Sequence, residues 1–115
     1  MFDFEKLEVY QVTKNQNLDL MKWLLQHKEL DKDFADQWKN ASMHVVLNLA
    51  ESTARMVHAE KKHYLTLARS NINICVALME IAKALEWVDP ATATQFYNKY
   101  EQMSKMMLGM IRSFT

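Results

Sequence analysis

Residues 64–88 read YLTLARSNINICVALMEIAKALEWV, a stretch without glycine or proline that decides the fold. Apolar residues recur there in steps of three and four, which is the period of an α-helix. They form two lines: Leu65, Ala68, Ile72, Cys75, Met79 and Ala82, then Leu67, Asn71, Ile74, Leu78, Ile81, Leu85 and Val88. Such a helix cannot leave most of its circumference in water. The stretch therefore predicts a central helix that packs in its own bundle and against another subunit.

The composition favours one all-α domain over residues 1–115. Half of the residues are hydrophobic, so a chain of this length can bury a core without disulfides or metals. Sheets need turn residues at regular intervals, yet the chain contains a single Gly and a single Pro. An all-α fold is therefore predicted.

The first helix is predicted to run from about Phe4 to His27, with Asp3 as its N-cap. Its expected inner stripe consists of Leu7, Tyr10, Leu18, Met21, Leu24 and Leu25. Residues 13–17, TKNQN, interrupt that stripe. We therefore expect the middle of this helix to be its least stable part, or a part that is only partly covered.

Two further helices are predicted from caps and chain length. The second begins at Asp33, whose carboxylate can accept first-turn amides, and buries Phe34, Trp38, Ala41, Val45 and Leu49. It ends within residues 52–59, because one helix from Asp33 to Val88 would be roughly 80 Å long at about 1.5 Å per residue. The third helix is the central stretch.

The fourth helix is predicted to begin at Asp89-Pro90, since Asp suits the N-cap and Pro the first helical position. Gly109 lies beside its stripe and is expected to permit close approach. The stripe contains Ala93, Phe96, Tyr100, Met103, Met107, Met110 and Phe114. Four helices with short connections predict an antiparallel up-down-up-down four-helix bundle.

Charge and cysteine content indicate a cytoplasmic protein that does not bind membranes. Fourteen basic residues balance fourteen acidic ones, although residues 37–83 contain six basic and only three acidic side chains. The single Cys75 has no partner for an intrachain disulfide and is expected to be a core residue in a reducing compartment. The N-terminus lacks the basic start and apolar run of a signal peptide.

No pattern of catalytic or metal-binding residues is complete. Glu60-x-x-His63 has the spacing of ferritin-like ligands, but those sites need the motif twice and further glutamates. His44, Glu51 and His58 are seven residues apart and would share one stripe only if the second helix continued through the expected break. Cys75 lies in an apolar line, which raises a thiol pKa. We expect no enzyme activity, no cofactor and no metal.

Four stretches resemble a bacterial family of four-helix-bundle proteins encoded in intervening sequences of 23S ribosomal RNA genes. They are FEKLEVYQ (4–11), QWKNASMHVVLNLAES (37–52), YLTLARSNI (64–72) and MSKMMLGMIRSF (103–114). The accessory variability determinants of diversity-generating retroelements are similar. The resemblance implies a four-helix bundle assembled as a ring-shaped homopentamer without known catalytic activity. In the retroelement branch it also implies a basic surface that binds nucleic acid and reverse transcriptase.

The chain departs from the family pattern at several positions. Asn48, Ala50 and Glu51 keep the typical Asn-x-Ala-Glu. Lys39 and Asn40 stand where the family has two arginines, and Val46 and Ser52 replace Pro and Gly. Ser70, Ile74 and Val76 occupy positions that are typically Gly and Glu. The chain thus lacks the arginines of the second helix and the glutamates of the third, which would form ion pairs with each other. Replacing both partners of such pairs by apolar residues can preserve packing.

Two functions remain open. The first is a non-enzymatic, self-associating bundle that presents a multivalent surface to a macromolecular partner. The second is a nucleic-acid-binding accessory protein that contacts RNA or a nucleic-acid-processing protein. Its expected binding residues are Lys39, Arg55, Lys61, Lys62 and Arg69.

Overall fold

The computed structural model describes residues 1–114, which fold into an antiparallel up-down-up-down four-helix bundle of 44 × 24 × 22 Å. Each helix packs against the next one in the chain, and the fourth packs against the first. The predicted fold class is confirmed, and no strand occurs within residues 1–114. The helices are α1 (Glu8–Gln26), α2 (Lys32–Ala54), α3 (His58–Ala84) and α4 (Pro90–Ser113), preceded by a 3-10 turn at Asp3–Lys6.

Two predicted helix starts are wrong by a few residues. Asp3 does not cap α1, because Asp3–Lys6 forms a separate 3-10 turn and the extended backbone of Leu7 (φ −82°, ψ 130°) precedes α1. The cap of α2 is Asp31, not Asp33. The Asp31 carboxylate accepts a hydrogen bond from the Phe34 amide at 2.9 Å, which fixes the first turn two residues earlier.

The other two boundaries are as predicted. The Asp89 carboxylate accepts from the Thr92 amide at 3.0 Å, and Pro90 is the first residue of α4. The break between α2 and α3 falls at residues 55–57, inside the predicted interval.

The predicted inner stripe of α1 is only partly correct: Leu7, Tyr10 and Leu24 pack against the core, but two of its leucines do not. Leu18 and Leu25 are 43% and 68% exposed, whereas three residues of the polar turn, Thr13, Gln16 and Asn17, are buried. The buried face consists of Val9, Thr13, Gln16, Asn17, Leu20 and Trp23. Asn17 is stabilised there because its side-chain oxygen accepts a hydrogen bond from the Ser42 hydroxyl on α2 at 2.7 Å.

The core confirms most of the apolar stripes predicted for the other helices. Every residue in the first line of α3 is buried, and so are Trp38, Ala41, Val45 and Leu49 on α2. Phe34 and the α4 residues Met110 and Phe114 are half-buried at the edge of the core; the rest of the α4 stripe is buried. The expectation for Gly109 is wrong: a Cβ there would meet nothing within 4 Å, so no element within residues 1–114 approaches it closely.

The C-terminus of α3 adopts a left-handed backbone conformation without glycine. Glu86 has φ 61°, and its amide donates to the Lys83 carbonyl at 3.0 Å. The Trp87 amide donates to the Ala82 carbonyl at 2.8 Å. These two bonds form a Schellman motif, in which glycine is preferred because a Cβ is strained at positive φ.

Replacing Glu86 by Gly should raise the free energy of unfolding by about 0.5–1 kcal/mol, because it removes the left-handed strain of a residue with a Cβ. Glu86→Val should lower it, since a β-branched residue tolerates positive φ least. Urea denaturation of the three proteins tests this. Equal midpoints for Gly and Val would show that this turn stores no strain.

Candidate functional site

The side of α3 that faces away from the core is apolar and open. Four residues of the second predicted line are substantially exposed: Leu67 (37%), Ile74 (48%), Ile81 (49%) and Leu85 (52%). Leu78 and Val88 of that line are instead buried in the bundle, and Asn71 is half-buried. We define the α3 face as the exposed residues Leu67, Ser70, Ile74, Ala77, Ile81, Ala84 and Leu85.

The α3 face is nearly free of charge. Among the exposed residues of the range 64–85, only Glu80 and Lys83 are acidic or basic. By length and composition alone, α3 is long and apolar enough to cross a membrane, as core helices of soluble proteins also are. Only 33% of its most apolar 18-residue segment is buried in the bundle. The bundle therefore covers only part of the apolar surface of α3.

A second apolar surface lies between the end of α1 and the start of α2. It encloses about 440 Å³. We name it the α1–α2 groove; its apolar residues are Met21, Leu24, Leu25, Leu30 and Ala35, and its polar residues are His27, Lys28, Lys32, Asp36 and Lys39. Lys32 is paired with Asp36 at 3.0 Å, whereas Lys28 and Lys39 have no ion-pair partner within residues 1–114.

Two of the predicted nucleic-acid-binding residues meet at the junction of α2 and α3, where each contacts its own chain. Arg55 forms an ion pair with Glu51, donates to the Tyr64 hydroxyl at 3.0 Å and lies over the Tyr64 ring. Lys61 donates to the Ser52 and Thr53 carbonyls at 3.4 Å each. These contacts join the end of α2 to the start of α3.

Of the other three predicted residues, Lys62 follows Lys61 on α3, whereas Arg69 and Lys39 lie elsewhere. Arg69 donates to the Ser104 hydroxyl on α4 at 3.3 Å, and Lys62 is half-buried. Lys39 belongs to the α1–α2 groove. It lies about 24 Å from Arg55 along α2, at about 1.5 Å per residue. The structure therefore brings Arg55 and Lys61 together and separates Lys39 from them.

A buried polar cluster in the bundle centre contains one side chain from each helix. The Trp38 indole N–H donates to the Tyr100 hydroxyl at 3.0 Å, and Gln16 and Cys75 lie beside the same hydroxyl. Burial is the main cause that raises the pKa of Tyr100 above its usual range and the pKa of Cys75 to about 12. Both groups are therefore neutral near pH 7. Sequence periodicity predicted the burial of Trp38, Cys75 and Tyr100, but neither the burial of Gln16 nor the contacts among the four side chains.

The candidate metal ligands are apart or exposed. Glu60 and His63 are both exposed, and His58 lies on α3 against Phe114, beyond the break that separates it from His44 and Glu51 on α2. Within residues 1–114, no three His, Cys, Asp or Glu side chains are placed to share a metal ion.

Comparison with known proteins identifies the family. A family model described as "23S rRNA-intervening sequence protein" matches residues 5–109. The chain belongs to the 23S rRNA-intervening sequence protein family. The resemblance stated from the four sequence stretches is thus confirmed. No curated protein matches the chain.

A solved structure shows the same fold as this 23S rRNA-intervening sequence protein. It is the crystal structure of a protein of unknown function from the S23 ribosomal protein family of Bacteroides thetaiotaomicron. The two chains superpose with a TM-score of 0.83 at 14% identity, over 90% of this chain and 97% of the other. At that identity the similarity establishes the bundle and no function.

The raised pKa of Cys75 predicts how stability depends on pH in this 23S rRNA-intervening sequence protein. Between the ordinary thiol pKa of 9.0 and about 12, the unfolded chain has lost the proton that the folded chain keeps. The free energy of unfolding should therefore fall as pH rises through this window. Denaturation at several pH values measures this slope. Cys75→Ala should show a shallower fall, and an identical slope would contradict the assignment to this thiol.

Replacing Tyr100 by Phe should lower the free energy of unfolding by about 1–3 kcal/mol, because it leaves the buried Trp38 indole N–H without its acceptor. Tyr97→Phe, at a tyrosine that is 42% exposed, is the matched control and should change stability by less than about 0.5 kcal/mol. Chemical denaturation measures both. Equal stabilities would show that the Trp38–Tyr100 hydrogen bond contributes nothing.

Proposed function

We propose that the protein is a non-enzymatic, self-associating bundle that presents a multivalent surface to a macromolecular partner. The observation that carries the proposal is the α3 face, an exposed apolar surface on the central helix. A continuous apolar patch of this kind is typical of protein–protein contact sites. In an oligomer, each subunit contributes one copy of any weak binding surface. Several weak contacts to the same partner then act together.

The spacing of the α3 face supports contact with another helix. Leu67, Ile74 and Ile81 are seven residues apart, and Ser70, Ala77 and Ala84 form a parallel row with the same spacing. Two rows at heptad spacing form the seam through which helices pack side by side. Small side chains in one row let a partner backbone approach closely. From Leu67 to Leu85 this seam extends about 27 Å at about 1.5 Å per residue.

The contacts of the basic residues favour association over the nucleic-acid hypothesis. Arg55, Lys61 and Arg69 each donate hydrogen bonds within the chain, so binding phosphate would compete with contacts that join the helices. Nucleic-acid binding through these residues stays a prediction.

The native protein should sediment as an oligomer at micromolar concentration, and Ile74→Asp should sediment as a folded monomer. Ile74 is 48% exposed, so a carboxylate there stays hydrated in the monomer. In an assembled seam the same carboxylate would be buried without a partner, at a cost of several kcal/mol. Sedimentation velocity measures the mass, and circular dichroism confirms the fold.

Met56→Asp is the matched control, because Met56 is 91% exposed and lies outside the α3 face. It should assemble like the native protein. A native protein that is monomeric at micromolar concentration would refute the proposal.

A further inference from the structure

We propose that the α3 face of one copy docks into the α1–α2 groove of a second copy of this chain, a head-to-tail contact. The inference rests on the proposed self-association and specifies its two surfaces. One surface is a ridge of leucine and isoleucine side chains, and the other is a groove with an apolar floor. The two surfaces lie on different helices of the same subunit.

Head-to-tail docking covers both apolar surfaces, whereas pairing α3 with α3 covers only one. Leu25 of the α1–α2 groove is 68% exposed, a larger fraction than that of any leucine or isoleucine in the α3 face. A twofold contact between two α3 faces would leave this leucine in water. When every subunit uses both surfaces, as in a closed ring, ridge-into-groove docking buries the α3 face and Leu25 of each subunit, so it removes more apolar surface from water per subunit.

Both surfaces reach the same end of the bundle, which makes lateral docking possible. The groove spans the α1–α2 connection, and Ile81 and Leu85 lie at the C-terminal end of α3. In an up-down-up-down bundle these two connections share one end. The rings of Phe34 at the start of α2 and Trp87 after α3 contact each other at 5.2 Å, which confirms that placement. Two copies can therefore dock side by side without shifting along the helix axis.

The charges at the two surfaces are complementary. The groove contributes Lys28 and Lys39, and the C-terminal end of α3 contributes the exposed residues Glu80 and Glu86. None of these four side chains has an ion-pair partner within residues 1–114. Opposite charges around an apolar contact favour one register over others and speed encounter. Glu80 and Lys83 both line the side of α3 toward α4, beside Thr94 and Tyr97, so the complementarity rests chiefly on Glu86.

The test is complementation between two variants, one of which disrupts the α3 face and the other the α1–α2 groove. Ile81→Asp damages the ridge and Leu25→Asp damages the groove, at residues that are 49% and 68% exposed, so both variants should fold. Every head-to-tail contact needs one ridge and one groove, so each variant alone should be monomeric. An equimolar mixture retains one intact ridge and one intact groove and should form a one-to-one dimer. Sedimentation and native mass spectrometry, with one variant labelled with ¹⁵N, identify this dimer.

The outcomes separate this inference from the proposed function. If Leu25→Asp assembles like the native protein while Ile81→Asp is monomeric, α3 pairs with itself: self-association stands and head-to-tail docking is refuted. A mixture that stays monomeric at concentrations where the native protein assembles also refutes it. A native protein that is itself monomeric refutes the proposed function. Met56→Asp is the control for added charge and should leave native assembly intact, and its disassembly would overturn the assignment to these two surfaces.

Discussion

The apolar surface of α3 is larger than one bundle can cover, and this constraint organises the molecule. One side of α3, from Leu65 to Ala82, is fully buried between α2 and α4. The other side remains about half exposed at Ile74 and Ile81. A helix that is apolar on two sides needs two sets of partners. The bundle supplies the first set, and we infer that a second copy supplies the other.

The bundle centre combines apolar packing with a few directed hydrogen bonds. Trp38 and Tyr100 join α2 to α4, and Asn17 and Ser42 join α1 to α2. Apolar contacts tolerate rotation of a helix, but a buried polar group without its partner costs about 1–3 kcal/mol. These bonds therefore fix which faces of α1, α2 and α4 point inward. Loss of the Tyr100 hydroxyl should affect this register as well as stability.

Sequence periodicity predicted the parts of the structure in which burial follows from residue type alone. The first line of α3 and most of the α4 stripe are apolar at helical spacing, and they are buried. The cap of α2 was misplaced because Asp31 and Asp33 are both good caps, and only the bond from the Phe34 amide to Asp31 distinguishes them. The α1–α2 groove was not predicted, since two helices and their connection form it together and no single stretch carries the pattern.

The wrong prediction for α1 and the existence of the groove have one physical cause. Asn17 can face inward because α2 presents the Ser42 hydroxyl to it, and Gln16 lies beside the Tyr100 hydroxyl of α4. The Thr13 hydroxyl is buried on the same face without a hydrogen-bond partner within residues 1–114. Residue type alone cannot reveal those partners. With that face inward, the helical period turns Leu18 and Leu25 outward, where both are substantially exposed. The polar centre of the bundle thus places apolar side chains on its surface. Leu25 thereby becomes part of the groove into which we propose that α3 of a second copy docks.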